Sequence, residues 1–162
     1  MTQAVQRDVI SLLIQDHREV DELLVRLEEL ADDEPVGTGA EARTVAGQVV
    51  MELTGHWAAE QRYLYPLVRE RVPRGVALAE RDSVEQAETE DDLRALDLLD
   101  PAEHEFWGRV AVLADRVRAH VRDEECELFP LVRDAVPRTV LVELACRVGT
   151  GQVATTLGVV DA

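Results

Sequence analysis

Several residue types are scarce in this chain, and each scarcity narrows what it can be. Cysteine occurs only as Cys126 and Cys146, too few for a disulfide framework, so a packed core must supply the stability and a reducing, cytoplasmic setting is expected. Aromatics make up 4% of the 162 residues, and Leu, Val, Ala, Glu and Arg dominate, which is helix-forming material with few strand signals. No apolar run reaches the roughly 18 residues that a bilayer-spanning helix needs. The opening MTQAVQRDVISLLIQDH carries acidic residues and no small-residue cleavage site, so it reads as helix and not as a leader. Basic residues are outnumbered 17 to 33, for a net charge of −16. That balance repels phosphate backbones and anionic headgroups and argues against nucleic-acid and membrane-surface partners.

What is present is a sentence said twice. HWAAEQRYLYPLVRERVP, His56 to Pro73, aligns without a gap on HVRDEECELFPLVRDAVP, His120 to Pro137. The match keeps His56/His120, Glu60/Glu124, Leu64/Leu128, Tyr65/Phe129, Pro66/Pro130 and the closing Val72/Val136 and Pro73/Pro137. His and Glu at i and i+4 share one helix face a turn apart, so each copy aims an imidazole nitrogen and a carboxylate oxygen at the same region. The repeat reaches further back. DHREVDELLVRL, Asp16 to Leu27, lies over EQAETEDDLRAL, Glu85 to Leu96, pairing Asp16 with Glu85, Asp21 with Glu90, Leu24 with Leu93 and Leu27 with Leu96. The chain then reads as two helix pairs related by an approximate two-fold, with Gln86 where a second His17 belongs.

Apolar periodicity predicts a first helix from Asp8 to about Ala31, with His17 inside the stripe of Leu13 and Val20. A loop over Asp32 to Ala40, rich in Gly and acidic residues, leads to a second helix from Glu41 to Glu70, kinked near Pro66. A turn over Val72 to Ser83 precedes a third helix from about Arg81 to Leu98, with Gln86, Glu90, Leu93 and Leu96 inward and Ser83 as a capping residue. Asp100 and Pro101 open a fourth helix that runs to about Asp134. The expected fold is all-α: an antiparallel up-down-up-down four-helix bundle over residues 1–137, with a C-terminal extension over 138–162. Within the extension, residues 139–148 make a short helix ending at Gly149, and the apolar tail that follows offers a surface for a homodimer.

Glu60 and Glu124 occupy positions where the pattern calls for leucine. A lone ionised carboxylate there costs several kcal/mol unless a positive charge compensates it. His17, His56 and His120 converge with them, and imidazole plus carboxylate suits iron, manganese or zinc. One inward histidine is more often a satisfied core residue than a ligand, and an internal ion pair explains one His/Glu pair; it explains two poorly. Glu90 divides between ligand and solvated acidic run, while His104, Cys126, Tyr63, Trp57 and Trp107 read as surface, packing or rim residues.

DHREVDELL with His17, HWAAEQRYLYP with His56 and Glu60, and HVRDEECELFP with His120 and Glu124 together resemble the hemerythrin family of HHE cation-binding domains, over roughly residues 8–135. The resemblance implies a four-helix bundle holding a non-haem di-iron centre, two Fe bridged by carboxylates and an oxo or hydroxo group. Its histidines would be end ligands, and its partner a small diatomic molecule or peroxide. The expected metal set is His17, His56, Glu60, Gln86, Glu90, His120 and Glu124. The departure lies in EQAETE, where the family carries histidine in place of Gln86. An amide oxygen is a weaker donor than imidazole, and three outcomes follow: Glu90 compensates, one metal stays, or the cage is empty. A carboxylate-rich site favours peroxide or iron-oxidising chemistry over reversible oxygen carriage. The rival readings are an iron or redox sensor and a purely structural bundle.

Overall fold

The computed structural model describes residues 6–32 and 38–156, and among them every regular element is helical. Five helices follow one another. α1 is Val9–Asp32, and α2 comprises Gly39–Ala59, a π turn Glu60–Leu64 and Tyr65–Arg71. α3 is Gly75–Leu98, α4 comprises His104–Asp123, a π turn Glu124–Leu128 and Phe129–Ala135, and α5 is Arg138–Thr156. α1 packs on α2, α2 on α3 and α3 on α4, and α1 also packs on α4, so the four enclose one interior. α5 lies against α1 and α2. No described helix is long and apolar enough to cross a membrane.

The interior has two apolar ends. One gathers Val9, Ile10 and Leu13 of α1 with Leu64, Val68, Leu128, Phe129 and Val132, and Leu141 and Leu144 of α5 close it. The other gathers Leu24, Leu27, Val49, Leu53, Leu96, Phe106 and Leu113. Between them lies a polar layer of buried groups: the three inward histidines, Glu60, Glu124, Asp82 and Gln86. A buried polar layer is costly unless its members satisfy one another or hold an ion, so the ends supply the stability and the middle is free to carry chemistry.

The two π turns explain the expected kink. Pro66 and Pro130 have no N–H to give the preceding turn, and the chain takes up the slack in Glu60–Leu64 and Glu124–Leu128, after which the Tyr65 and Phe129 amides reach back to Glu60 O and Glu124 O. Each π turn opens on its inward glutamate.

Three boundaries differ from the sequence expectation. α3 begins at Gly75 and not near Arg81. The turn before it is only Val72 to Arg74, closed by Arg74 in the left-handed region at φ 59 and by the Gly75 amide bonding Val72 O. A Cβ on Gly75 would come within 1.9 Å of Val68 O, so glycine is what lets the helix start this close to α2. Ser83 is therefore mid-helix, its hydroxyl bonding Ala79 O at 2.7 Å, and caps nothing. α4 starts at His104, with Asp100 instead holding the Ala102 amide in the preceding turn. α5 runs through Gly149 to Thr156, because a glycine without a left-handed conformation does not stop a helix. Most of the expected first loop, residues 33–37, and the tail residues 157–162 lie outside the described residues.

Candidate metal centre

Four helices each send side chains into the polar layer. His17 comes from α1 and His56 with Glu60 from α2; Asp82 and Gln86 come from α3, His120 with Glu124 from α4, and all are buried. Four of them, His17, His56, Glu60 and Glu124, bring ligand atoms within 4.8 Å of one another. The Nε2 atoms of His17 and His56 are 3.1 Å apart. His56 Nε2 lies 3.0 Å from Glu60 Oε1, His17 Nε2 3.3 Å from Glu124 Oε2, and His120 Nε2 3.4 Å from Glu124 Oε1. A cavity of about 10 Å³ lies beside them, lined by His17, His56, His120, Gln86, Leu53 and Trp57 among others.

Each imidazole is turned inward by a carboxylate on its other nitrogen. Nδ1 of His17 meets Glu125 at 2.8 Å, that of His56 meets Asp16 at 3.3 Å, and that of His120 meets Glu85 at 3.1 Å. A carboxylate on Nδ1 fixes the tautomer and leaves Nε2 as a donor toward a cation, the arrangement common around metal-bound histidine. Asp16 and Glu85 are the pair matched by the repeat, so the two-fold extends to this outer layer.

The inner atoms do not satisfy one another. Glu60 Oε1, Glu124 Oε2 and His120 Nε2 are buried without a hydrogen-bond partner, although an imidazole or carboxylate stands within 3.4 Å of each. Glu60 and Glu124 are both 0% exposed, where an unpaired carboxylate costs several kcal/mol. Orphaned nitrogen and oxygen atoms buried among imidazoles and carboxylates fit a divalent cation. The absence of thiolate fits iron or manganese better than structural zinc. Cys126 and Cys146 are both exposed and stand apart from the cage.

Without a cation, protons carry the compensation. Burial alone would drive the imidazoles neutral, but Glu60 and Asp16 push His56 up to about 10, and Glu124, Glu60 and Glu85 do the same to His120, also about 10. Burial opposes the charged form of Glu124 too, yet His120 and His17 hold it well below the carboxylate range. Glu60 is pushed up by burial and by the Glu124 charge beside it. Asp82 rises to about 6 through burial and Glu124, against the pull of Arg81.

The Tyr65 hydroxyl lies 3.4 Å from Glu60 Oε2 and 3.2 Å from Glu124 Oε1 and is kept protonated by burial and by both charges. Gln86 is brought into the cage, but its amide nitrogen faces inward, donating to Glu60 Oε2 at 2.6 Å and to Tyr65 Oη at 2.7 Å. Its oxygen turns away to accept from Gln61 Nε2 at 3.0 Å. Gln86 thus stands as a hydrogen-bond donor beside Glu60 and Tyr65. Glu90 is not brought to the site: its side chain is 59% exposed and faces Arg94. The buried stripe of α3 drifts from Gln86 through Thr89, Asp92 and Leu93 to Leu96, which leaves Glu90 outside.

Asp82 and Glu85 are site residues that the periodicity argument passed over. The signal for them was in the repeat. Carried back three residues, the alignment of Asp16 on Glu85 puts Asp82 opposite Leu13, an inward position, and Glu90 opposite Asp21, an exposed one. Outside the cage, a groove of about 580 Å³ runs along the α2 and α3 seam and shares Trp57 and Gln86 with the inner cavity.

The comparisons with known proteins agree with this geometry. The family model described as hemerythrin HHE cation binding domain matches residues 8–132. A curated relative from Nostoc sp., named as a DNA nickase, is 34% identical over 128 residues, which is 79% of this chain and 33% of the relative. The chain therefore spans about a third of the length of that relative. No solved structure matches.

Proposed function

This chain belongs to the hemerythrin HHE cation-binding family, and on that premise we propose that its buried cage holds two iron ions and that dioxygen, peroxide or nitric oxide is bound or sensed there. The observation that carries this reading is the set of orphaned inner atoms, Glu60 Oε1, Glu124 Oε2 and His120 Nε2, buried together with the His17 and His56 imidazoles. His17, His56 and His120 would hold the metal by imidazole and Glu60 and Glu124 by carboxylate; Glu124 stands between His17 and His120 of different helices, and Glu60 stands beside His56. The short Val72 to Arg74 turn and the long packed faces of neighbouring helices support the antiparallel up-down-up-down course.

Bound iron would supply reducing electrons and a Lewis-acid centre for a small oxygen or nitrogen ligand. The chain's own residues do the rest. Tyr65 holds a proton at Oη within reach of both bridging carboxylates. Gln86 fixes that hydroxyl and one Glu60 oxygen. Leu53, Val117 and Trp57 line the inner cavity and keep bulk water out. The groove along α2 and α3 leads a small ligand to the Trp57 and Gln86 side chains. Only three imidazoles face a carboxylate-rich interior, and this balance favours peroxide or iron-oxidising chemistry over reversible oxygen carriage.

DNA nicking is the named activity of a relative whose further two-thirds has no counterpart in this chain. With a net charge of −16, the domain proposed here takes no nucleic acid. The decisive experiment is an anaerobic ferrous titration of metal-free protein followed by air. Saturation at two equivalents and a ferric charge-transfer absorption after air are expected, and no uptake overturns the reading.

A further inference from the structure

The fully buried Asp82 has no role in the cage described so far. It stands on α3 one turn before Gln86, at a position whose two-fold mate is the core residue Leu13, and it is 0% exposed. Its Oδ1 takes the Arg81 Nε at 3.1 Å, and Arg81 spends its Nη1 on Glu127 at 2.8 Å. Its Oδ2 is buried with no partner. The ion pair therefore explains one oxygen and leaves the other aimed into the protein. A ligand atom each from Asp82, Glu85 and His120 lie within 4.8 Å of one another, and His120 Nε2 is itself orphaned.

Resting on the reading that the cage holds iron, we infer that Asp82 ligates the second metal ion, on the α3 and α4 side of the centre, together with His120, while Gln86 ligates nothing. Glu85 already occupies His120 Nδ1 and is only partly buried, so it orients the imidazole and leaves Nε2 to the ion. The amide of Gln86 presents nitrogen to the interior, and an amide N–H has no lone pair to give. Asp82 restores by charge what the half lacks in imidazole. The second ion thus sits among one nitrogen donor and several carboxylates, a harder set of donors than the two imidazoles of the other half.

The test counts metal and does not depend on turnover. Metal-free wild type, Asp82→Leu, Asp82→Asn and Gln86→Leu are titrated anaerobically with Fe²⁺ and separately with Co²⁺. Stoichiometry is read by elemental analysis after desalting, coordination by the cobalt d–d bands, and helicity by circular dichroism. Asp82→Leu copies the residue that fills the matched position in α1. Two equivalents are expected for wild type and for Gln86→Leu, and one for Asp82→Leu with the cobalt spectrum of the remaining site unchanged. Asp82→Asn is expected to weaken the second step by about tenfold or more, and it decides the question should the leucine variant fail to fold. Two full-affinity equivalents in the Asp82 variants overturn the inference, as does a single equivalent in wild type. Either result leaves the iron-holding cage intact. Wild type taking up no metal sinks the cage itself.

Discussion

The α1 and α2 half of the bundle and the α3 and α4 half are built on one pattern and filled differently. Across the two-fold, His56 with Glu60 matches His120 with Glu124, Asp16 behind His56 matches Glu85 behind His120, and Leu24 and Leu27 match Leu93 and Leu96. Several inner positions break the match, Tyr65 against Phe129 and Val20 against Thr89 among them, and two bear on the donor set. His17 faces Gln86, and Leu13 faces Asp82. One half therefore offers two imidazoles whose Nε2 atoms are 3.1 Å apart, and the other offers one imidazole, a buried carboxylate and an amide donor. The scaffold tolerates this because its two apolar ends hold the helices irrespective of what fills the middle. What differs is the preference each half has for a cation, and the two halves are expected to fill at different metal concentrations.

The largest effect should come from cutting one half at a time. His56→Ala is expected to abolish the tighter step of metal uptake and His120→Ala the weaker one, read by anaerobic titration with helicity unchanged. Glu60→Ala removes the buried carboxylate proposed to be shared by the two metals and should weaken both steps. If His56→Ala and His120→Ala gave the same isotherm, the halves would be equivalent and the asymmetry drawn from Gln86 and Asp82 would have no consequence.

Next in size are the carboxylates on Nδ1. Asp16→Asn and Glu85→Gln keep shape and remove charge, and changes of this kind cost about 10- to 100-fold in metal affinity. Asp16→Asn should act on the tighter step and Glu85→Gln on the weaker, each leaving the other within error. A smaller shift is expected from Gln86→His, which makes the second half resemble the first. The weaker step should tighten by about tenfold, because an imidazole nitrogen replaces an amide that donates inward. A variant with the two steps as far apart as in wild type would show that the α3 position does not set the difference.

These halves were unequally legible. The repeat located His56, Glu60, His120 and Glu124 because a charged residue recurring at an apolar position is visible without coordinates, and the structure groups His56, Glu60 and Glu124 with His17 and sets His120 against Glu124. α3 was harder. Its inward face carries Asp82, Gln86, Thr89 and Asp92 beside its leucines, so apolar periodicity has little to lock on to, and a one-residue ambiguity between Thr89 and Glu90 went the wrong way. The start of α3 was missed for another reason: Gly75 reads as a turn residue, whereas here it is a helix residue chosen for its contact with Val68 O. The π turns also lay beyond periodicity, since only backbone bonding tells a kink at Pro66 from an extra residue taken up before it.

The smallest difference between the halves is expected in proton affinity, and it separates cation preference from local charge. Burial disfavours the charged imidazole in both, yet Glu60 and Asp16 raise His56 to about 10 and Glu124, Glu60 and Glu85 raise His120 to the same value. A histidine whose folded-state pKa lies above its ordinary value near 6.5 binds its proton more tightly in the native state. Its contribution to stability is whole below pH 6.5 and is lost as the pH rises through 10. Metal-free protein should therefore melt at progressively lower temperature across that window, and His56→Gln and His120→Gln should each flatten the decline by a similar amount. A decline carried by one histidine alone would mean that the halves already differ before any metal arrives, and the contrast between them would then belong to the proton-bound cage and not to Gln86 and Asp82.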